Sequence, residues 1–157
     1  MSQKFLGAEH ERTIPVIGNL AYSYFDAGRT EEAEALWEKE FALSQRVCGP
    51  EHPTTLNAMD NVASSYHASG RTDDALAMRE QLLESAREVL GEHHPDTLNA
   101  MRALATSYCA TDRLSEAANL LERALKRMRE SLPEEHEFTV KARELLSSVK
   151  SRLGRGD

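Results

Sequence analysis

Histidine recurs every 42 residues in this chain, at His10, His52, His94 and His136. Other positions keep the same interval: Gly7, Gly49 and Gly91; Thr13, Thr55, Thr97 and Thr139; Tyr24, Tyr66 and Tyr108; Arg29, Arg71, Arg113 and Arg155; Ala33, Ala75 and Ala117. Residues 49–90 and 91–132 align without a gap and share 19 of 42 positions, far more than chance supplies. A period in this range is the signature of a repeat architecture. The chain divides into three full repeats, 7–48, 49–90 and 91–132, and a half-repeat, 133–157. Its 157 residues thus make one array, 1–157, of single-domain length.

Each repeat reads as two helices. In the second repeat, Leu56, Met59, Val62, Ala63 and Tyr66 fall at helical spacing and predict a helix over about 55–69. Pro53 suits a helix start, Thr54 or Thr55 can cap it, and Gly70 can end it. Thr72-Asp73-Asp74 opens a second helix that runs to about Leu90, with its acids at the positive end of the helix dipole. Repeats one and three follow the same plan, with breaks at Ala27-Gly28 and Thr111-Asp112. The half-repeat predicts a capping helix from about Glu137 to Leu153. Two helices cannot bury an apolar face alone, so neighbouring repeats stack. The expected fold is all-α: an α-solenoid of antiparallel helix pairs, three full repeats plus a C-terminal capping helix. Ala21, Ala63, Ala105, Ala33, Ala75 and Ala117 mark close helix contacts, and Leu20, Val62, Leu104 and Leu146 should fill the gaps between them. Trp37 is expected to be partly buried.

These residues resemble the tetratricopeptide repeat. The family's large residue, Leu-Gly/Ala, Tyr, Gly, Ala and aromatic positions are matched by Leu20-Ala21, Tyr24, Gly28, Ala33 and Trp37. The long period and the stretches Gly49-Pro-Glu-His-Pro-Thr-Thr-Leu56 and Gly91-Glu-His-His-Pro-Asp-Thr-Leu98 are similar to the kinesin light chain type. So are Asn19-Leu20-Ala21 and Asn61-Val62-Ala63. The likeness covers about residues 5–153. It implies a right-handed superhelix that binds a peptide or protein segment on a concave face lined by the first helix of each repeat. Carried over by position, that face holds Asn19, Tyr22, Asn57, Asn61, Ser64, Asn99, Arg102 and Thr106. Asparagine offers both a donor and an acceptor to a peptide backbone. Repeat three departs from the pattern at Ala103, and the half-repeat at Leu145. Arg102 is the one strong cation candidate there, so no clamp for a C-terminal carboxylate is expected.

Other chemistries find little support. The net charge is −7, concentrated in the first two repeats, which argues against nucleic acid and against an anionic membrane surface. No apolar run reaches the roughly 20 residues of a membrane-spanning helix. The N-terminal stretch lacks the apolar core of a secretory signal, and two cysteines make no disulfide framework, so a cytoplasmic setting is expected. The repeated histidines, with His93, fall in separate inter-repeat links and should order loops rather than gather a metal. Cys48 and Cys109 fall far apart and are read as space-filling thiols. Neither a nucleophile constellation nor a phosphate loop is present, so no enzyme activity and no cofactor are expected. Arg29, Arg71 and Arg113 should sit on the rim and bond nearby carbonyls or acids. Arg123, Lys126, Arg127 and Arg129 form a basic, solvated face, with Glu122–Lys126 and Lys126–Glu130 as i,i+4 pairs. Phe5-Leu6-Gly7 reads as the end of a preceding repeat. Two further readings stand beside peptide binding: a self-associating scaffold, with a homodimer formed through Leu145 and Val149 of the C-terminal helix, and a regulatory arm of a larger multidomain signalling protein.

Overall fold

The links between helices set the architecture. In a computed structural model, which describes residues 2–155 and side chains from residue 11 onward, seven helices follow one another with no strand among the described residues. They are α1 (Ser2–Asp26), α2 (Thr30–Val47), α3 (Pro53–Ala68), α4 (Thr72–Leu90), α5 (Pro95–Ala110), α6 (Leu114–Ser131) and α7 (Glu137–Arg155). The chain divides into two compact units, Met1–Ala75 and Leu76–Asp157.

The link inside each repeat has one design. Gly28 and Gly70 take positive φ angles of 82° and 86°, and Asp112 takes the same turn at 59°. Glycine adopts this left-handed backbone at little steric cost. The next residue is always arginine. The backbone N–H groups of Arg29, Arg71 and Arg113 each donate to the carbonyl of the tyrosine five residues earlier, at 2.8 Å. Their guanidinium groups lie over those same rings, 4.4, 3.9 and 4.4 Å from the centroids of Tyr24, Tyr66 and Tyr108. Each also bonds an acid on the following turn: Glu32, Asp74 or Glu116. The arginines thus bond acids, as read from the sequence, and also stack on the tyrosine that shares their period.

The links between repeats explain the histidines. His52 and His94 are the N-caps of α3 and α5: Nδ1 accepts the backbone N–H two residues on, at 3.2 and 3.1 Å. His136 makes the same bond to Phe138 ahead of α7, at 3.1 Å. The cap is therefore histidine rather than Thr54 or Thr55. The Thr55 hydroxyl instead donates to the Gly49 carbonyl at 2.6 Å, bracing the link from within. Repeat one differs. Glu11 stands where Pro53 and Pro95 open α3 and α5, and α1 runs unbroken from Ser2, with Pro15 inside it. The expectation for Phe5-Leu6-Gly7 falls on side chains outside the described residues.

In the first unit α2 packs on both α1 and α3, and in the second α6 packs on α5 and α7, while α5 also meets α7 directly. Alanines at the repeat positions let backbones approach: Ala21, Ala33, Ala63, Ala75, Ala105 and Ala117 are fully buried. Val62 and Leu104 are buried as well, and Leu146 is half-buried. Leu20 departs from the expectation, at 45% exposed. It sits on the first described helix, whereas α3 has α2 packed ahead of it. Trp37 is buried outright, 3% exposed. Val149, placed by the self-association reading on a dimer surface, is 1% exposed. It lies two helical turns from buried Ala142, on the same face of α7. The proposed dimer surface thereby loses one of its two residues, and Leu145 is half-buried. The expected Glu122–Lys126 and Lys126–Glu130 pairs do not form. Glu122 meets Lys150 of α7 at 3.3 Å and Glu130 meets His93 at 3.3 Å, because neighbouring segments bring these partners across that face.

Candidate partner-binding face

The residues predicted to bind a partner lie on the first helices of the repeats. In the first unit these are α1, with Asn19 and Tyr22, and α3, with Asn57, Asn61 and Ser64. Asn19, Tyr22, Asn57 and Ser64 are exposed, and Asn61 is half-buried. Successive members on one helix stand three or four residues apart, which places them along one stripe.

Two of them join across the helices, and one reaches on to Glu40. The Tyr22 hydroxyl donates to Asn61 Oδ1 at 2.7 Å. The Asn61 amide donates in turn to Glu40 Oε2 at 3.3 Å. Asn61 therefore braces α1, α2 and α3 together, and part of its bonding capacity is used within the fold. Tyr22 also stands edge-on to Trp37, with centroids 5.1 Å apart, and Phe25 lies 5.7 Å from the same indole. These three rings, with Asp60, Asn61, Ser64 and Ser65, line a cavity of about 210 Å³. Its wall is aromatic on the α1 and α2 sides and polar on the α3 side. The buried Nε1–H of Trp37 has no acceptor. Burial raises the Tyr22 pKa first, and the charges of Asp60 and Glu40 raise it further.

A second cavity, of about 360 Å³, opens between α1 and α3. Glu11, Ile14 and Pro15 line it from α1, Thr54 and Asn57 from α3, and Glu40 from α2. Glu40 is 8% exposed. Its carboxylate accepts from Asn61, and no basic side chain pairs with it among the described residues. Burial raises its pKa above the ordinary glutamate value, and the Asn61 bond offsets this in part.

In the second unit the predicted residues are Asn99, Arg102 and Thr106 on α5, all half-buried. The Arg102 guanidinium donates to Asn99 Oδ1 at 3.0 Å, so these two support one another. The Thr106 hydroxyl donates back to the Arg102 carbonyl at 3.2 Å, within its own helix.

Sequence reasoning missed Glu11, Phe25, Trp37, Glu40 and Asp60 as lining residues. For Glu40 a signal was available. The positions 42 and 84 residues later are Leu82 and Ala124, both buried, so glutamate breaks an apolar position of the repeat.

Comparison with known proteins agrees with this architecture. Residues 12–88 and 59–130 match the family model of the tetratricopeptide repeat. Among solved structures the chain is similar to the kinesin light chain nearly identical TPR-like repeats of Podosopora anserina. The identity is 27% and the TM-score 0.83, over 92% of this chain and 68% of that one. It is also similar to BtubC (BKLC) from P. vanneervenii, at 20% identity and a TM-score of 0.81, over 92% of this chain and 58% of that one. The first TPR of Spaghetti (RPAP3) matches at 17% identity and a TM-score of 0.64, over 91% of this chain and 94% of that one. No curated protein matches the chain at a significant level. With its helix pairs, its period and these matches, the chain belongs to the tetratricopeptide repeat family, in its kinesin-light-chain-like type.

Proposed function

We propose that this chain is a non-enzymatic interaction module that holds an extended segment of a partner protein along the first helices of its repeats, residues 1–157 acting as one array. The observation that carries this reading is the α1–α3 face. There exposed Asn57 borders one cavity and Asn61 the other, each large enough for a side chain. In an extended segment successive side chains point to opposite faces. Alternate ones would enter the cavities while asparagine amides bond the backbone between them. Asn19 and Asn99 extend the same role along α1 and α5. Tyr22, Ser64, Arg102 and Thr106 set preference. The RPAP3 repeat structure is described as bound to an HSP90 peptide, which supports a peptide-like ligand for a fold of this kind.

The setting we propose is cytoplasmic. Cys48 and Cys109 are free thiols, and burial raises the pKa of both, which keeps them protonated and unreactive. None of the described helices is long and apolar enough to cross a membrane. The charge of −7 supports a protein partner over nucleic acid.

The test is a peptide array probed with the native chain and with Asn57→Ala and Asn61→Ala. Asn57→Ala removes an exposed amide and should weaken peptide binding about tenfold, equal to 1.4 kcal/mol. Asn61→Ala should weaken it at least as much, since it also frees Tyr22 and Glu40. Undiminished binding by both variants contradicts the proposal.

A further inference from the structure

Two residues of the first repeat depart together from the pattern of the others. Glu40 occupies the buried position that is Leu82 in repeat two and Ala124 in repeat three. Gly18 occupies the position that is Asp60 in repeat two and Arg102 in repeat three. The departures fit one another. A Cβ at residue 18 would lie 2.5 Å from Glu40 Oε1, so the carboxylate rests directly on the α1 backbone, in space that only glycine leaves open.

The result is a carboxylate placed where the repeat otherwise packs an apolar side chain. It has one amide donor, and among the described residues no cation pairs with it. Burying a charge without a counter-charge is unfavourable, and the raised pKa of Glu40 is a sign of that cost. The cavity it faces is open between α1 and α3, and Glu11 adds a second carboxylate to its lining, with Thr54 and Asn57 as further polar groups. Asp60 lines the adjoining aromatic cavity. Among the described residues no basic side chain lines either cavity.

We infer that the Glu40–Glu11 cavity is a subsite for a lysine or arginine side chain of the partner segment, whose positive charge completes the buried carboxylate. This rests on the peptide-binding reading above and adds to it the chemistry of one position. The neighbouring cavity, walled by Tyr22, Phe25 and Trp37, takes an apolar or aromatic side chain nearby in the same segment. The preferred ligand is a short stretch that pairs a basic residue with an apolar one.

The experiment selects short random peptides by display against the full chain, then measures the affinity of a winning peptide and of its norleucine counterpart. Norleucine keeps the carbon stem and removes the charge. Winners should share a lysine or arginine, and the norleucine exchange should weaken binding at least tenfold. Against Glu40→Leu, which restores the residue of repeat two, the exchange should change affinity less than about twofold. Glu40→Gln gives the same comparison if the leucine variant folds poorly. Winners without a basic residue, or a norleucine penalty that persists in both Glu40 variants, overturn the subsite and leave the peptide-binding face standing. No winners at all, or winners that bind Asn57→Ala and the native chain alike, overturn that face and the subsite with it.

Discussion

Single side chains decide more here than their number suggests. Glu40 is the clearest case. Its folded-state pKa lies above its unfolded value of about 4.3, so the folded protein holds the proton over a pH range where the unfolded chain has lost it. Stability is then highest below the unfolded pKa and falls as pH rises through the folded one. Glu40→Gln removes this dependence. The melting temperature of the glutamine variant should exceed that of the native chain by a margin that widens from about pH 4 to about pH 7. A margin that stays constant would show that the buried carboxyl does not titrate as described. Asp112 offers a second test. It holds a left-handed backbone where repeats one and two use glycine, a conformation that costs an ordinary residue about 1–2 kcal/mol. Asp112→Gly should raise stability by roughly 0.5 kcal/mol after the added freedom of the unfolded chain is discounted. Urea denaturation measures this, and a loss of stability would mean that the aspartate side chain holds the turn. Asp112 falls at the break expected in repeat three, whereas Glu40 carries no such mark. A glutamate on a helix reads as solvated until its 42-residue counterparts, Leu82 and Ala124, are set beside it.

At the scale of helices, the sequence was most readable where the period and the breakers coincide. α4 runs over Thr72–Leu90 as its acids and apolar spacing indicate, and α3 and α5 both begin at the prolines. What stayed hidden was how the ends are satisfied. Histidine is not among the usual capping residues, so its period looked like loop order when it is in fact a side-chain cap. His52→Ala should cost about 1 kcal/mol, seen as an earlier melt of helical signal, while His52→Asn, with an acceptor at similar reach, should retain most of the stability. Equal loss in both variants would point to ring packing rather than to the cap. The ends of the array were the other weak point of sequence reading. Leu20 was assigned by analogy with interior repeats, and Val149 was placed on the open face of a terminal helix, but burial depends on which neighbours a helix has. α7 packs on both α5 and α6, which buries Val149, while Leu20 on α1 remains half open. In the core of the second unit, Leu98 is fully buried. Leu98→Ala should destabilise by about 2–5 kcal/mol, and a smaller loss would show that the alanine-rich interface closes over the gap.

On the scale of the whole chain, repetition made the fold family legible and concealed the site. A 42-residue period whose segments each read as two helices points to stacked helix pairs, and it places asparagines on the first helices by position alone. It says nothing of what lies beneath them. The aromatic cavity depends on Trp37, whose counterparts are Arg79 and Leu121, and the acidic cavity depends on Glu40 and Gly18. The first unit thus builds both cavities where it departs from the repeat, and that is where the proposed recognition would act. The charge distribution has the same bias, with the net negative charge in the first two repeats, which favours the approach of a basic segment. The central claim is that a partner segment lies on the first helices of the repeats. Its most direct test is an amide and side-chain chemical-shift map of the full chain with a selected peptide. The account predicts that the shifted resonances cluster on Gly18, Asn19, Tyr22, Asn57 and Asn61 in the first unit. Shifts confined to the exposed faces of α2, α4 and α6 would contradict it.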